Sequence, residues 1–350
     1  MWDIVKNILT DNNFIGAIFM SLGFILLGYF LRRKNIITNE GKNAIIEIVL
    51  KIALPAMAFN AFMTDFNVNS FKENIMILIF SLALYVVIIG MGHLIFCKED
   101  KDSRSVMSIF IAVSQITFFS IPILKAVYND SYEVLLPANM LTLAFRLVLY
   151  IYCYLVISKL NFSRENLKKS VKKIIVNPIM IAMFIGVFVW ISQLFMPTTN
   201  INGIDYSFLR IDKTIPSIYK IISAADKLTT PLAMIIVGCI LGESNFSEAF
   251  KDKKAWVCSI LRTMITPLIV LALVILLQAI GVMNFTEFST IVLVIGFGAP
   301  LSAVVNTYCS TYNNNQLLAS RVCLLSTLLC IITFPILFIM VKLIITFPIF

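Results

Sequence analysis

The chain has 350 residues, 59% of them hydrophobic and 13% charged, with a net charge of +9 and a mean hydropathy of +0.93. Soluble domains carry near 25% charged residues, so these proportions exclude a water-soluble surface and imply one membrane domain over residues 1–350. The basic residues sit in alternate loops rather than in a stripe with aromatics, which excludes nucleic acid as a partner and leaves the lipid bilayer.

The first apolar segment is preceded by Asp3, Lys6 and Asp11 and has no small-residue cleavage site. It therefore reads as a first span rather than a cleaved signal peptide. Further spans are predicted near 42–62, 74–96, 107–127, 134–158, 176–196, 217–241, 256–281, 287–308 and 316–346, after a first at 14–31. Each is long enough for about 30 Å of hydrocarbon at 1.5 Å per residue. Lys and Arg concentrate in the loops after spans one, three, five and seven: Arg32, Arg33 and Lys34; Lys98, Lys101 and Arg104; Arg164 to Lys173; and Lys251, Lys253 and Lys254. Those loops are expected in the cytoplasm of a multi-pass cell-membrane protein, with both termini on the opposite side.

Cut in the basic loop near 159–175, the chain gives halves that interrupt their helices alike. Pro55 of span two matches Pro231 of span seven, and Pro122 of span four matches Pro300 of span nine; Arg146 and Arg321 form a looser match. With an odd number of spans per half the repeat is inverted, repeat one over 1–160 and repeat two over 174–350. Around Pro122 and Pro300 lie Ser114, Gln115, Thr117 and Ser120, and Gly296, Gly298, Ser302, Asn306 and Thr307. Polar groups at that depth need water, protein or ligand as partners. A proline inside a helix removes an N–H and crowds the preceding turn, and the half-helix beyond a break presents free amides and a positive dipole end. Two such ends meeting at mid-membrane suit a small organic anion. The expected binding residues are Ser114, Gln115, Thr117, Ser120, Pro122, Arg146, Pro300, Ser302 and Asn306.

Arg146 lies well inside span five, where a charge costs at least about 2.5 kcal/mol unless it meets protein, water or ligand. It serves either the anion or the carbonyls of a broken helix. Arg321 lies near a helix end and can snorkel. Glu47 and Lys51 are four apart and can neutralise each other; with Asp226 they are the candidates for proton or ion coupling. His93, the sole histidine, reads as interfacial. The seven cysteines include no CxxC pair and read as buried apolar residues. No HExxH, GxSxG or phosphate-loop motif occurs, so no enzyme chemistry, metal or cofactor is expected.

Several stretches together resemble the auxin efflux carrier superfamily, which includes plant PIN carriers and bacterial malate and malonate permeases. They are "GYFLRRKNIITNEGKNAIIEIVLKIALPAMAF", "VNPIMIAMFIGVFVW", "LTTPLAMIIVGCILGE" and "GAPLSAVVNTYCSTYNNNQLLASRVCLLSTLLCIITFPI", in that order. The resemblance implies an all-α integral membrane fold of ten transmembrane helices in two inverted five-helix repeats, similar to sodium/proton antiporters and bile-acid carriers. It implies Pro-broken crossover helices, with a substrate carboxylate beside the crossing at Pro122 and Pro300. It also implies a scaffold of spans one, two, six and seven, a transport domain of spans three to five and eight to ten, and a homodimer formed through the scaffold. One departure stands out: family members carry a pattern like "SNTGFLGLPI" where this chain reads "SQITFFSIPI", so that Gln115 replaces an Asn and Thr117 and Ser120 replace glycines. The expected function is secondary transport of a carboxylate or dicarboxylate by alternating access. The rivals are a transporter-like receptor for such a ligand and a channel, which the lack of a regular polar pore face disfavours.

Overall fold

In hydrocarbon no water satisfies backbone amides and carbonyls, so the apolar runs of this sequence fold as helices. The computed structural model describes residues 12–129, 131–161, 163–201, 203–243 and 246–346. In chain order they form α1 (Asn12–Arg33), α2 (Asn39–Asn60), α3 (Val68–Ile95), α4 (Lys101–Ala112), α5 (Ile116–Val127), α6 (Tyr132–Ile157), α7 (Arg164–Ile175) and α8 (Pro178–Ser192). A hairpin of β1 (Thr198–Ile201) and β2 (Ile204–Ser207) follows, then α9 (Ile211–Thr214), α10 (Pro216–Glu243), α11 (Phe246–Lys251) and α12 (Lys253–Ala279). The chain ends with α13 (Glu287–Gly298), α14 (Ala303–Thr311) and α15 (Gln316–Ile345).

Among the described residues, seven helices are long and apolar enough to cross a membrane: α1, α2, α3, α6, α10, α12 and α15. The helix expected at 176–196 is α8, preceded by α7 at an angle of 66°. The spans expected at 107–127 and 287–308 are each split, into α4 and α5 and into α13 and α14. Polar side chains start several helices where the sequence leaves a helix N-terminus: Thr38 accepts from the Gly41 amide, Asp100 from Ser103, and Thr286 forms a capping box with Ser289.

The prolines act differently from the sequence expectation. Pro122 does not break its helix at the crossing; the break is at 113–115, and Pro122 lies inside α5 beyond it. A proline cannot donate to the carbonyl four residues back and crowds it, so the helix widens instead. The Ile121 amide reaches back five residues to the Ile116 carbonyl. The same wide turn precedes Pro55, where Leu54 bonds Val49, and Pro267, where Thr266 bonds Leu261. Pro300 does interrupt its span: Ala299 before it is extended at ψ 162°, as a pre-proline residue favours.

Helices α1 and the second part of α10 pack most closely, along with α2 against α8. Two glycines let the α1–α10 backbones meet. A Cβ on Gly28 would stand 2.2 Å from the Ile235 carbonyl oxygen, and one on Gly238 2.0 Å from that of Ile25. Small residues at such contacts are what lipid-embedded helix pairs use in place of a hydrophobic driving force. A second group packs α3 on α4 and α6, α12 on α13 and α15, and α13 on α6. Between the two groups, α5 lies against α1 and α10.

Ion pairs gather the alternate basic loops on one face. Glu243 holds Arg32 at 2.8 Å and Lys42 at 2.6 Å, Lys254 meets Glu99 at 2.7 Å, and Lys159 meets Asp102 at 2.5 Å. Arg321 joins this face by bonding Asp252 at 2.9 Å and Glu248 at 3.1 Å. The hairpin and the Arg210 pairs with Asp65 and Asp212 lie at the other ends of the helices.

The glycine contact yields a direct test. Gly28→Ala forces a methyl into backbone and should lower stability by about 1–3 kcal/mol, whereas Gly23→Ala, with nothing within 4 Å of its Cβ, should be neutral. Thermal unfolding of the two purified variants distinguishes them.

Candidate functional site

The two interrupted spans meet at their breaks. Ser114 and Leu301 form an antiparallel bridge: the Gln115 amide donates to the Pro300 carbonyl at 2.7 Å and the Ser302 amide to the Val113 carbonyl at 3.2 Å. The Leu301 amide is taken by the Ser326 hydroxyl at 3.0 Å, and the Gln115 side-chain carbonyl accepts the Ala303 amide. Each span thus changes from helix to a short extended piece and back. No proline lies in the first break; its backbone groups leave the helix because the second break supplies partners for them.

Four helix ends converge there. On one side are the carbonyl ends of α4 and α13, and the fully buried Arg262 of α12 lies among them. Its Nε donates to the Ala299 carbonyl at 2.9 Å, and its terminal nitrogens donate to Ile111 at 2.8 Å, Phe110 at 3.2 Å and Phe297 at 3.4 Å. A cation at two negative dipole ends is electrostatically well placed. The role of bonding broken-helix carbonyls, one of two open to Arg146, belongs in the structure to Arg262.

The amide ends of α5 and α14 face a cavity of about 230 Å³. The first amides of a helix have no intrahelical acceptor, and Ile116, Thr117, Phe118 and Val304 line this space with Ser302 and Gln115. Arg146 lines it from α6 while only 3% exposed. A terminal nitrogen makes a long 3.5 Å bond to the Tyr150 hydroxyl, and its Nε has no hydrogen-bond partner. No carboxylate pairs with it among the described residues. The Thr117 hydroxyl, also buried, is equally without a partner. Asn177, at the start of α8, donates to the Tyr150 hydroxyl at 3.1 Å. Glu47 and Lys51 border the cavity and pair with each other, each more than half exposed.

Of the expected residues, the structure brings Gln115, Thr117, Arg146 and Ser302 together around this cavity, with Glu47 and Lys51 beside them. Ser114 and Pro300 belong to the bridge. Ser120 faces away, its hydroxyl donating to the Ile295 carbonyl at 3.1 Å, and Pro122 carries a carbonyl that accepts from Thr230 at 3.4 Å. Asn306 is in the first turn of α14, its amide bonded to the Ser302 carbonyl at 3.2 Å and its side-chain oxygen buried without a partner.

Asp226 is in a separate buried cluster. It pairs with Lys125 of α5, accepts from Asn60 of α2 at 2.7 Å, and its backbone carbonyl accepts from Lys125 at 3.3 Å. The Tyr219 hydroxyl donates to the Asn60 side chain at 2.5 Å. Lys125 is eight residues past Thr117 and Asn60 nine past Lys51, so this cluster lies roughly 12–14 Å along the helices from the cavity at 1.5 Å per residue.

Sequence reasoning missed Arg262, Lys125, Tyr150 and Asn177. The rule that singled out Arg146, an ionisable residue within an apolar run, applies equally to Arg262 and Lys125. Tyr150 and Asn177 carry no such signal.

The two arginines predict opposite responses. Arg262→Met strips several buried carbonyls of donors worth about 1–3 kcal/mol each and should lower the unfolding temperature strongly. Arg146→Met removes an unpaired charge and should leave it unchanged or raise it. Thermal unfolding in detergent reads both.

A protein from Mus musculus named lysosomal cholesterol signaling protein is 25% identical over 183 residues, a match covering 49% of this chain and 21% of that protein. The chain therefore spans about a fifth of the length of this curated relative. The family model described as membrane transport protein matches residues 14–338, nearly the whole chain. Its pattern of apolar helices and its match over that length make the chain a member of the membrane transport protein family, the auxin efflux carrier and PIN-like group.

Proposed function

We propose that this protein is a secondary transporter that moves a small organic anion, a carboxylate or dicarboxylate, by alternating access through the cavity at the helix crossing. The observation that carries the reading is Arg146: a buried guanidinium with no carboxylate partner, lining the same space as two sets of helix-terminal amides. A resident charge so poorly partnered is costly in lipid, and an anion that accepts from it relieves the cost. At about 230 Å³ the space is below the ~300 Å³ at which drug-sized pockets begin, which suits a small metabolite.

The proposed moving unit contains α3 to α6 and α12 to α15, and the scaffold contains α1, α2, α8 and α10. Taking α4 with α5 as one span and α13 with α14 as another gives ten spans. The packing then supports an inverted repeat: spans one and seven pair as six and two do, three and four as eight and nine, three and five as eight and ten. With the basic loops in the cytoplasm, the cavity beside Glu47, Lys51 and Asn177 opens inward. The Lys125–Asp226 pair, linking α5 to α10 on the far side of the cavity, closes the outward path. A buried ion pair is close to break-even against its desolvation, so it is a latch that can open. Because loss of one charge would unbalance this latch, Asp226 is a better coupling candidate than Glu47 and Lys51, which are exposed and paired with each other.

A second reading, a membrane sensor that binds the anion without moving it, is favoured by one observation: the mouse relative carries signalling in its name. Flux separates the two.

In proteoliposomes, the wild type should take up at least one mono- or dicarboxylate saturably, and that anion should raise its unfolding temperature; Arg146→Met should lose both effects. Stabilisation without flux would favour the sensor, and neither effect with any carboxylate would contradict both readings.

The latch makes a second prediction. Lys125→Met leaves Asp226 buried and unpaired, an imbalance of about 3–5 kcal/mol that disfavours the closed outer side. A Thr117→Cys reporter, labelled only from the basic-loop side in the parent, should become reactive from the hairpin side. Exchanging the charges, Lys125→Asp with Asp226→Lys, should restore the parent pattern, and unchanged sidedness in Lys125→Met would remove the latch from the account.

A further inference from the structure

Helix α7 has no role in the transport cycle just described. Its twelve residues, RENLKKSVKKII, make a rod of about 18 Å, too short to cross a bilayer. It turns 66° from the apolar α8 and so lies across the direction of that helix. One side is turned to the protein: Ser170 and Ile174 are buried, and α7 packs on residues 148–153 of α6. The outer side holds Val171 and Ile175, 42% and 58% exposed, at the same angular position as Arg164 and Lys168, with Lys172 beside them. The single acid, Glu165, is bonded to Lys169 at 2.7 Å, and Lys173 stands 3.4 Å over the Tyr154 ring. Arg164, Lys168 and Lys172 make no ion pair among the described residues.

From this arrangement we infer that α7 is a docking surface for the anionic headgroups of the bilayer. An apolar edge flanked by free basic side chains is the pattern of a helix lying in the interface plane, and polybasic segments next to a span are drawn to anionic lipid. Aqueous exposure alone would not favour the two aliphatic residues on that edge. A second copy of this chain would bring like charges together, whereas lipid phosphates complement them.

The docked helix also bears on the transport site, in a way that rests on the function proposed above. Asn177 follows α7 after one residue, starts α8 by accepting the Ile179 amide at 3.0 Å, and donates to Tyr150. Tyr150 in turn accepts from Arg146. The docked helix therefore leads directly into the start of α8 at the edge of the cavity.

The test uses the full chain in lipid nanodiscs. Cys97 is the exposed cysteine among six buried ones, so Cys97→Ser with Val171→Cys allows one environment-sensitive fluorophore on the outer edge of α7. Emission is compared in phosphatidylcholine and in a mixture with roughly one-quarter phosphatidylglycerol. The docking surface predicts a blue shift and gain in intensity in the anionic mixture, lost in Lys168→Gln with Lys172→Gln. Equal emission in both lipids, a shift unaffected by the two substitutions, or a shift that follows protein concentration rather than lipid charge would overturn it. This readout needs no substrate, so it stands or falls separately from the transport proposal.

Discussion

The backbone of an interrupted helix in lipid has to find partners, and most of this structure is arranged around that need. Two breaks, at 113–115 and 299–302, supply each other with two hydrogen bonds. Ser326 and Gln115 take two more amides by their side chains. What the bridge cannot satisfy is sorted by polarity. The carbonyl ends are gathered on one side, where Arg262 bonds four of them. The amide ends face a cavity, and their partners there are for a ligand or water to provide. The crossing therefore has a resident cation at its negative ends and an open space at its positive ends. That asymmetry is the physical basis for the proposed preference for anions.

The two arginines buried within the spans, Arg146 and Arg262, illustrate why location in an apolar run does not by itself assign a role. Arg146 and Arg262 are both almost inaccessible, and both would be expelled from hydrocarbon on their own. Arg262 has converging carbonyls and acts as part of the fold. Arg146 has Tyr150 at hydrogen-bond limit and an unpartnered Nε, and lines the cavity that the proposed function uses. The distinction depends on which backbone carbonyls surround each guanidinium.

Much of the fold was legible in the sequence because lipid allows few solutions. Hydropathy located α1, α2, α3, α6, α10, α12 and α15 to within a few residues, and the cluster of small and polar residues before Pro122 and around Pro300 marked the two interrupted spans. Pro122 was misread because proline chemistry has two outcomes. With no partner strand a helix can widen by one residue, as it does before Pro55, Pro122 and Pro267. The break at 113–115 depends on residues 299–302, which are distant in sequence, and no local pattern specifies it. Gln115, Thr117, Arg146 and Ser302, which line the cavity, stood out in the sequence because each is polar within an apolar run. Tyr150 and Asn177 were not, since a tyrosine and a helix-capping asparagine near a helix end are unremarkable until α6 and α8 are brought together. The ion pair of Lys125 and Asp226 joins residues 101 apart, and only the packing of α5 on α10 makes them neighbours.

The proposed function requires that the amide ends of α5 and α14, together with Arg146, hold an anion. It is tested most directly by locating one: an experimental structure determined with a bromine-labelled carboxylate, whose scatterer can be placed without ambiguity. Bromine density is expected in the cavity between Arg146 and the Ile116–Phe118 turn. Density confined to surface lysines, or an ordered carboxylate at the Lys125–Asp226 cluster with that cavity holding only water, would contradict it.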